Sequence, residues 1–281
     1  MKVVDTIQRM SMLSKILKKE SKTIGFVPTM GYLHDGHLSL IKTAKQHTDV
    51  AVVSIFVNPK QFLPSEDFDK YPRDLTRDEE MARLAGADVL FNPSSVDMYP
   101  KGCATYVDVE HLTNTLCGPS RPGHFKGVTT IVTKLFNIVK PDIVYFGQKD
   151  AQQSIIIKKM VCDLNMDIEI KVLPTIREKD GLAMSSRNVN LSEKERKDAL
   201  CLSQVLAKAE SAVKSGERDT AKIIKMMEDI IKDRPTAKID YIEAVDTKTL
   251  GPVDTIAGET LIALAVFIGK TRLIDNVILN P

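Results

Sequence analysis

Four short runs, TIGFVPT (23–29), DVAVVSIFVN (49–58), ADVLFNP (87–93) and DIVYFGQ (142–148), are apolar at successive positions instead of alternating. That is how strands buried on both faces of a parallel sheet read. Helical patterns separate them. Leu38, Ile41 and Ala44 share a face in LSLIKTAKQ, and residues 73–85 follow Pro72 and stop at Gly86. Val128, Ile131, Val132, Leu135 and Val139 line one side of residues 127–139. Strand, helix and strand in repetition require right-handed crossovers. The fold class read from this is α/β: a Rossmann-like doubly wound parallel sheet. Such sheets bind ligands beyond the carboxyl ends of their strands. HDGH (34–37), NPKQF (58–62) and GQKD (147–150) each follow a strand end.

The pattern changes near residue 176. Two helices are expected over 192–214 and 219–232, then strands over 238–246, 260–268 and 272–279. This divides the chain into a Rossmann-like nucleotide-binding domain, 1–175, and a smaller α+β domain, 176–281, carrying MSSRN (184–188) near its start.

Composition removes several function classes. With 39 basic against 37 acidic residues the net charge is +2, and there is no tryptophan. A protein built to coat nucleic acid normally shows a basic excess and stacking surfaces. Cys103, Cys117, Cys162 and Cys201 form no close pair of the zinc-binding kind and read as reduced thiols. No apolar run reaches membrane-spanning length, and the N-terminus is amphipathic and charged, so a soluble cytoplasmic protein is expected.

The strand-end motifs point to anions. A helix start offers unpaired N–H groups and the positive end of the helix dipole. Gly31 and Gly36 let a phosphate approach, and His34 and His37 add donors; the plainer alternative is two histidines that cap the helix or face solvent. In FGQKDAQQ, Lys149 is a flexible point charge, Asp150 a helix cap or a ligand for ribose or magnesium, and Gln152 and Gln153 neutral hydrogen-bonders, unless the segment is only a solvated turn. MSSRN can clasp phosphates through its serines, backbone amides and Arg187, or serve as a linker. Asn58 and Gln61 stand just past a strand end. SEDFDKYPRD (65–74) reads as a solvated loop in preference to a magnesium site, and RPGHF (121–125) as a mobile flap or a turn.

Taken together, PTMGYLHDGH resembles the HIGH-type signature of the nucleotidyltransferase superfamily, and MSSRN occupies the place of its KMSKS loop. The ordered set PTMG…HxGH, FVNPxQF, EDFxxYPR, RPGHFxGV, FGxKDxQQ and GLAxSSRN resembles the pantothenate synthetase (pantoate–β-alanine ligase) family over nearly the whole chain. The resemblance implies ATP-dependent condensation of (R)-pantoate with β-alanine through a pantoyl adenylate, with Mg2+, in a cytoplasmic homodimer that binds neither nucleic acid nor membrane. Carried over by position, the ATP-binding residues would be Met30, Gly31, Tyr32, Leu33, His34, Asp35, Gly36 and His37, then Gly147, Gln148, Lys149 and Asp150, then Ile176, Met184, Ser185, Ser186 and Arg187. His37, His34, Lys149 and Arg187 would be catalytic, with His37 at the proton donor's position. Gln61 and Gln153 would hold pantoate, Gln61 would also adjoin β-alanine, and Asn58 would help there. Asp150 is the candidate magnesium ligand. Tyr32 is a departure, since many members carry alanine there. A nucleotidylyltransferase that stops after adenylating a phosphorylated substrate would share the histidines but would not need Gln61 and Gln153.

Overall fold

The computed structural model describes residues 1–281 except Ser65 and Asp67. Its larger sheet is wholly parallel. The elements run β1 (Lys2–Val4), α1 (Ile7–Lys19), β2 (Ile24–Thr29), α2 (Asp35–His47), β3 (Val50–Ile55), α3 (Leu75–Leu84), β4 (Val89–Phe91), α4 (Ser95–Met98), α5 (His124–Val139), β5 (Ile143–Gly147), α6 (Ala151–Asp163) and β6 (Glu169–Leu173). The strand order is β1-β4-β3-β2-β5-β6. From β2 the chain winds outward through β3 and β4, then returns to lay β5 and β6 on the other side. The switch point of this Rossmann-like sheet therefore lies beside β2, where ligands bind in such folds.

Alternation along β2 sets the two layers. Val27 faces Leu40, Ile41 and Ala44 of α2 and Ala82 of α3, in a cluster closed by Val53, Leu90 and Tyr145. Phe26, one residue away and so on the opposite face, meets Phe136 of α5 edge to face, with ring centroids 6.5 Å apart. Both phenylalanines are buried. Two strands escaped the sequence reading, and both are sheet edges. β1 has only three residues, and β6 (EIKVL) mixes polar with apolar residues and buries none of them.

The remaining elements are α7 (Glu193–Ala199), α8 (Cys201–Lys214), α9 (Thr220–Lys232) and an antiparallel sheet of β7 (Ala237–Asp246), β8 (Thr260–Ile268) and β9 (Thr271–Leu279), in that order. Leu202, Val205 and Leu206 of α8 and Ile223, Met227 and Ile231 of α9 share a core with Ile262, Leu264 and Val266 of β8. The helix expected over 192–214 is two helices, broken at Leu200. Asp198 accepts hydrogen bonds from the Thr236 amide and hydroxyl at 3.1 and 2.7 Å, which ties the end of α7 to the start of β7. Leu200 keeps φ −61° and ψ −19°, so the apolar period runs through the break without a mark.

The chain forms two compact units. One comprises residues 1–109, 122–147 and 156–174; the other comprises 110–121, 148–155 and 175–281. Among the described residues no helix is long and apolar enough to cross a membrane.

Replacing Phe26 with alanine empties a filled position in the centre of the larger sheet. We expect Phe26→Ala to cost about 3–5 kcal/mol, read as a lower denaturation midpoint at unchanged slope.

Candidate active site

The segment joining β2 to α2 reverses direction within two residues. Gly31 has φ +82° and Tyr32 φ +49°, both left-handed. Gly31 is required on space as well as angle, since a Cβ there would lie 2.9 Å from both Asp78 Oδ2 and Ile55 Cγ2. Asp78, on α3, is 1% exposed. Its Oδ2 accepts the Tyr32 N–H at 2.6 Å and its Oδ1 the Leu33 N–H at 2.7 Å. Burial pushes the Asp78 carboxyl up from its ordinary value, against the pull of those two amides and of Arg77. Arg77 completes the strap: Nη2 donates to the Leu33 carbonyl at 2.9 Å, and the guanidinium lies 5.0 Å from the Tyr32 ring centroid. The Tyr32 ring thus packs against Arg77.

Beyond this strap, His34 caps α2 and stacks on His37, with ring centroids 4.0 Å apart and planes 28° from parallel. The His34 N–H donates to His37 Nδ1 at 3.4 Å. An Nδ1 that accepts leaves the ring proton of neutral His37 on Nε2, a donor. Asp35 is exposed and Gly36 half-buried, so the first turn of α2 is open to an anion.

A second cluster lies past β3. The 3₁₀ turn Pro59–Gln61 is capped by Asn58, which is 1% exposed. Asn58 Oδ1 accepts from the Lys60 N–H at 3.3 Å and the Tyr99 hydroxyl at 2.8 Å. Its Nδ2 donates to Gln61 Oε1 at 3.0 Å and to the Gly127 carbonyl at 3.1 Å. Gln61 Nε2 points at Met30 Sδ, 3.1 Å away. α5 presses against this turn backbone to backbone, for a Cβ on Gly127 would stand 2.3 Å from the Lys60 oxygen. His124 Nδ1 meets the Gln61 carbonyl at 2.8 Å and so donates to it. RPGHF is therefore no flap along its whole length, because His124 and Phe125 are buried at the start of α5. In SEDFDKYPRD, Ser65 and Asp67 lie outside the described residues. Asp69, Lys70, Arg73 and Asp74 are exposed, as a solvated loop requires, but Tyr71 is buried, and Arg73 donates to the carbonyls of Phe68, Asp69 and Tyr71 at 2.8, 3.4 and 3.1 Å.

A third cluster belongs to the second unit. Gly147 ends β5, and the 3₁₀ turn Gln148–Asp150 follows. The Gln148 and Lys149 carbonyls both accept from Asn276 Nδ2, at 2.9 and 3.0 Å. Lys149 Nζ donates to the Met184 carbonyl at 3.2 Å, and the Met184 N–H donates to the Ile176 carbonyl at 3.0 Å. Ser185 caps the next 3₁₀ turn, Ser186–Asn190, by accepting the Arg187 N–H at 3.2 Å. Asn188 anchors that turn, donating to Glu178 Oε1 at 2.6 Å and the Ala183 carbonyl at 3.1 Å. The Glu178 carboxyl falls below its ordinary value because the Arg196 guanidinium and the Asn188 amide outweigh its burial. Lys149 and Arg187 are half-buried, and Asp150 is exposed.

The two glutamines of α6 part company. Gln152 is buried, its oxygen accepting the Cys117 N–H at 3.1 Å and its nitrogen donating to the carbonyls of Leu112 and Thr115 at 3.1 and 2.8 Å. It holds the 112–117 segment. Gln153 is half-buried.

Sequence reasoning missed Asp78 and Tyr99. Their partners stand 45 and 41 positions away, so no local spacing marks them. Among the described residues no group of three histidines, cysteines or acids could hold a metal.

A sequence profile of the pantoate-beta-alanine ligase family matches residues 2–278. The chain belongs to the pantoate–β-alanine ligase family. Over 280 residues it is 57% identical to the pantothenate synthetase of Pelotomaculum thermopropionicum, covering 100% of this chain and 99% of that one. It is 58% identical over 280 residues to that of Acetivibrio thermocellus, covering both completely. The crystal structure of the pantothenate synthetase from Thermus thermophilus matches with a TM-score of 0.94 at 41% identity, covering 100% of both chains. That of the pantoate–β-alanine ligase from Francisella tularensis, complexed with beta-gamma ATP and β-alanine, matches at 0.82 and 38% identity, covering 99% of this chain and 97% of that one. The chain is thus an enzyme, a pantoate–β-alanine ligase in family and in fold.

Two variants test how this ligase supports its histidines and Gln61. Asp78→Ala strands the Tyr32 and Leu33 amides and should cost roughly 1–3 kcal/mol for each, measured by urea denaturation. Gly127→Ala forces the Pro59–Gln61 turn off α5 and should cost about 1–3 kcal/mol, with a lower melting temperature.

Proposed function

We propose that this chain condenses (R)-pantoate with β-alanine, consuming ATP and releasing AMP and diphosphate. The observation that carries this reading is the family match along residues 2–278, which includes the stacked His34–His37 pair at the mouth of α2. The pantoate carboxylate attacks the α-phosphorus, diphosphate leaves, and pantoyl adenylate remains bound. The β-alanine amine then attacks the acyl carbon; AMP leaves with the carboxylate oxygen, and the amine's proton is lost to form the amide.

Two anions must meet in the first step, so catalysis depends on placed donors. The α2 amides, His34 and the Nε2–H of His37 serve the phosphates, with His37 as proton donor. Met30 through His37, Gly147 through Asp150, Ile176, and Met184 through Arg187 form the ATP-binding set. Lys149 and Arg187 add positive charge where the diphosphate develops its own. Gln61 and Gln153 hold pantoate, and Gln61 adjoins β-alanine. ATP and β-alanine are what the Francisella relative's structure contains, which supports both ligand assignments. Residues 1–175 then form the nucleotide- and pantoate-binding domain, and 176–281 the smaller domain.

Mg2+ fits this arrangement. It needs near-octahedral oxygen ligands, keeps several waters and binds through one or two carboxylates plus substrate phosphates. Asp150, exposed and next to Lys149, is one such carboxylate. Bound there with the triphosphate, the ion supplies charge neutralisation. We further propose a cytoplasmic homodimer that engages neither nucleic acid nor membrane.

Isotope exchange separates this reading from adenylation of a phosphorylated acceptor. With ATP and magnesium present, labelled diphosphate should enter ATP only when pantoate is added, before any β-alanine. Exchange without pantoate, or none with it from protein that binds ATP, overturns the proposal. Lys149→Ala should slow pantoate-dependent exchange by roughly 10²–10³ while circular dichroism stays unchanged.

A further inference from the structure

We infer that Tyr99 is a positioning residue for substrate: acting through Asn58, it tightens the hold on the Gln61 amide whose nitrogen faces the pantoate. This rests on the reading that Gln61 holds pantoate.

The inference follows from donor and acceptor identities alone. A backbone N–H can only donate, so the Asn58 atom that Lys60 N meets at 3.3 Å is the oxygen. A backbone carbonyl can only accept, so the atom that meets the Gly127 oxygen at 3.1 Å is the Asn58 nitrogen. The Asn58 amide has one orientation. The Tyr99 hydroxyl, 2.8 Å from that oxygen, must therefore donate. Burial pushes the phenol well above its ordinary value, which keeps the proton in place. On the other side, Asn58 Nδ2 must meet an acceptor, so the Gln61 atom 3.0 Å away is Oε1. Gln61 therefore turns its nitrogen, a donor, toward Met30, whose thioether is a weak acceptor that a substrate oxygen displaces. A donor at this point suits the carboxylate and hydroxyl oxygens of pantoate.

Tyr99 is placed to hold this chain still. It closes α4, and its N–H donates to the Ser95 carbonyl at 2.9 Å. Its ring packs against Phe56, with centroids 6.3 Å apart, and the Lys134 ammonium sits 5.7 Å from its centroid. Without the phenol, Asn58 Oδ1 keeps only the long bond from Lys60. The amide keeps the orientation that Lys60 and Gly127 set but is held less tightly, and Gln61 rests on a looser donor.

Tyr99→Phe retains the ring and removes only the donor. In the full-length enzyme it should raise the pantoate KM roughly 3- to 10-fold, the range of one neutral hydrogen bond. KM for ATP and the melting temperature should stay near wild type. Gln61→Ala should raise the pantoate KM more, and adding Tyr99→Phe to it should change nothing further, since the relay then has no end. Gln61→Glu, which sets an acceptor against the pantoate carboxylate, should bind pantoate worse than Gln61→Ala. An unchanged pantoate KM in Tyr99→Phe overturns the inference. So does an equal rise in the Gln61→Ala background, or a general rise for all three substrates with a fall in melting temperature. A pantoate KM left unchanged by Gln61→Ala is a separate outcome, which overturns the assignment of Gln61 itself and the inference with it.

Discussion

A left-handed pair of residues after β2 leaves the Tyr32 and Leu33 amides pointing into the protein, away from water, and the Asp78 carboxylate takes both. Without that acceptor the loop would carry two buried, unsatisfied donors, and the geometry that sets His34 as the cap of α2 would have no support. The stacked histidines, the open first turn of α2 and the place of Met30 beside Gln61 all descend from it. A carboxylate suits this task because it accepts two N–H groups at once and has no proton to compete with them. A neutral amide would offer one oxygen and a misplaced donor.

The same logic of close approach operates elsewhere in the architecture. Gly127 lets α5 meet the Pro59–Gln61 turn with no side chain between them, and that contact brings His124 to the Gln61 carbonyl. Asn58 then has every hydrogen-bonding position of its amide used within the protein. Buried polar groups so fully engaged are rigid, and a rigid Asn58 makes the direction of the Gln61 amide a property of the fold.

Much of this was legible in the sequence, for identifiable reasons. β2 to β5 stand out because burial on both faces makes their runs continuously apolar, and a parallel sheet then predicts polar motifs at the carboxyl ends. Residues 30–37, 58–61 and 147–150 do follow those ends. β1 and β6 were hidden because edge strands are short or half polar. Asp78 and Tyr99 were hidden for another reason, since each looks local: Asp78 reads as one more charge in RDLTRDEE, and Tyr99 as a turn residue before Pro100. Their partners are fixed only by the crossover of the chain. Gln152 misled in the opposite sense, because a helix-start glutamine near strand-end glycine and lysine resembles a ligand-binding residue, whereas its three bonds all go to the backbone of residues 112–117.

The clasp between Asn276 and the Gln148 and Lys149 carbonyls has a consequence for how this enzyme comes into being. Those partners are 128 and 127 positions apart, and Asn276 belongs to β9, which follows every other described strand in chain order. Contacts that distant in sequence form late, after the loop between them has closed. The backbone of Lys149 is therefore set only when β9 docks on β8, long after the local helices exist. Recovery of ligase activity during refolding is then a clock for that docking and lags behind the return of helical signal.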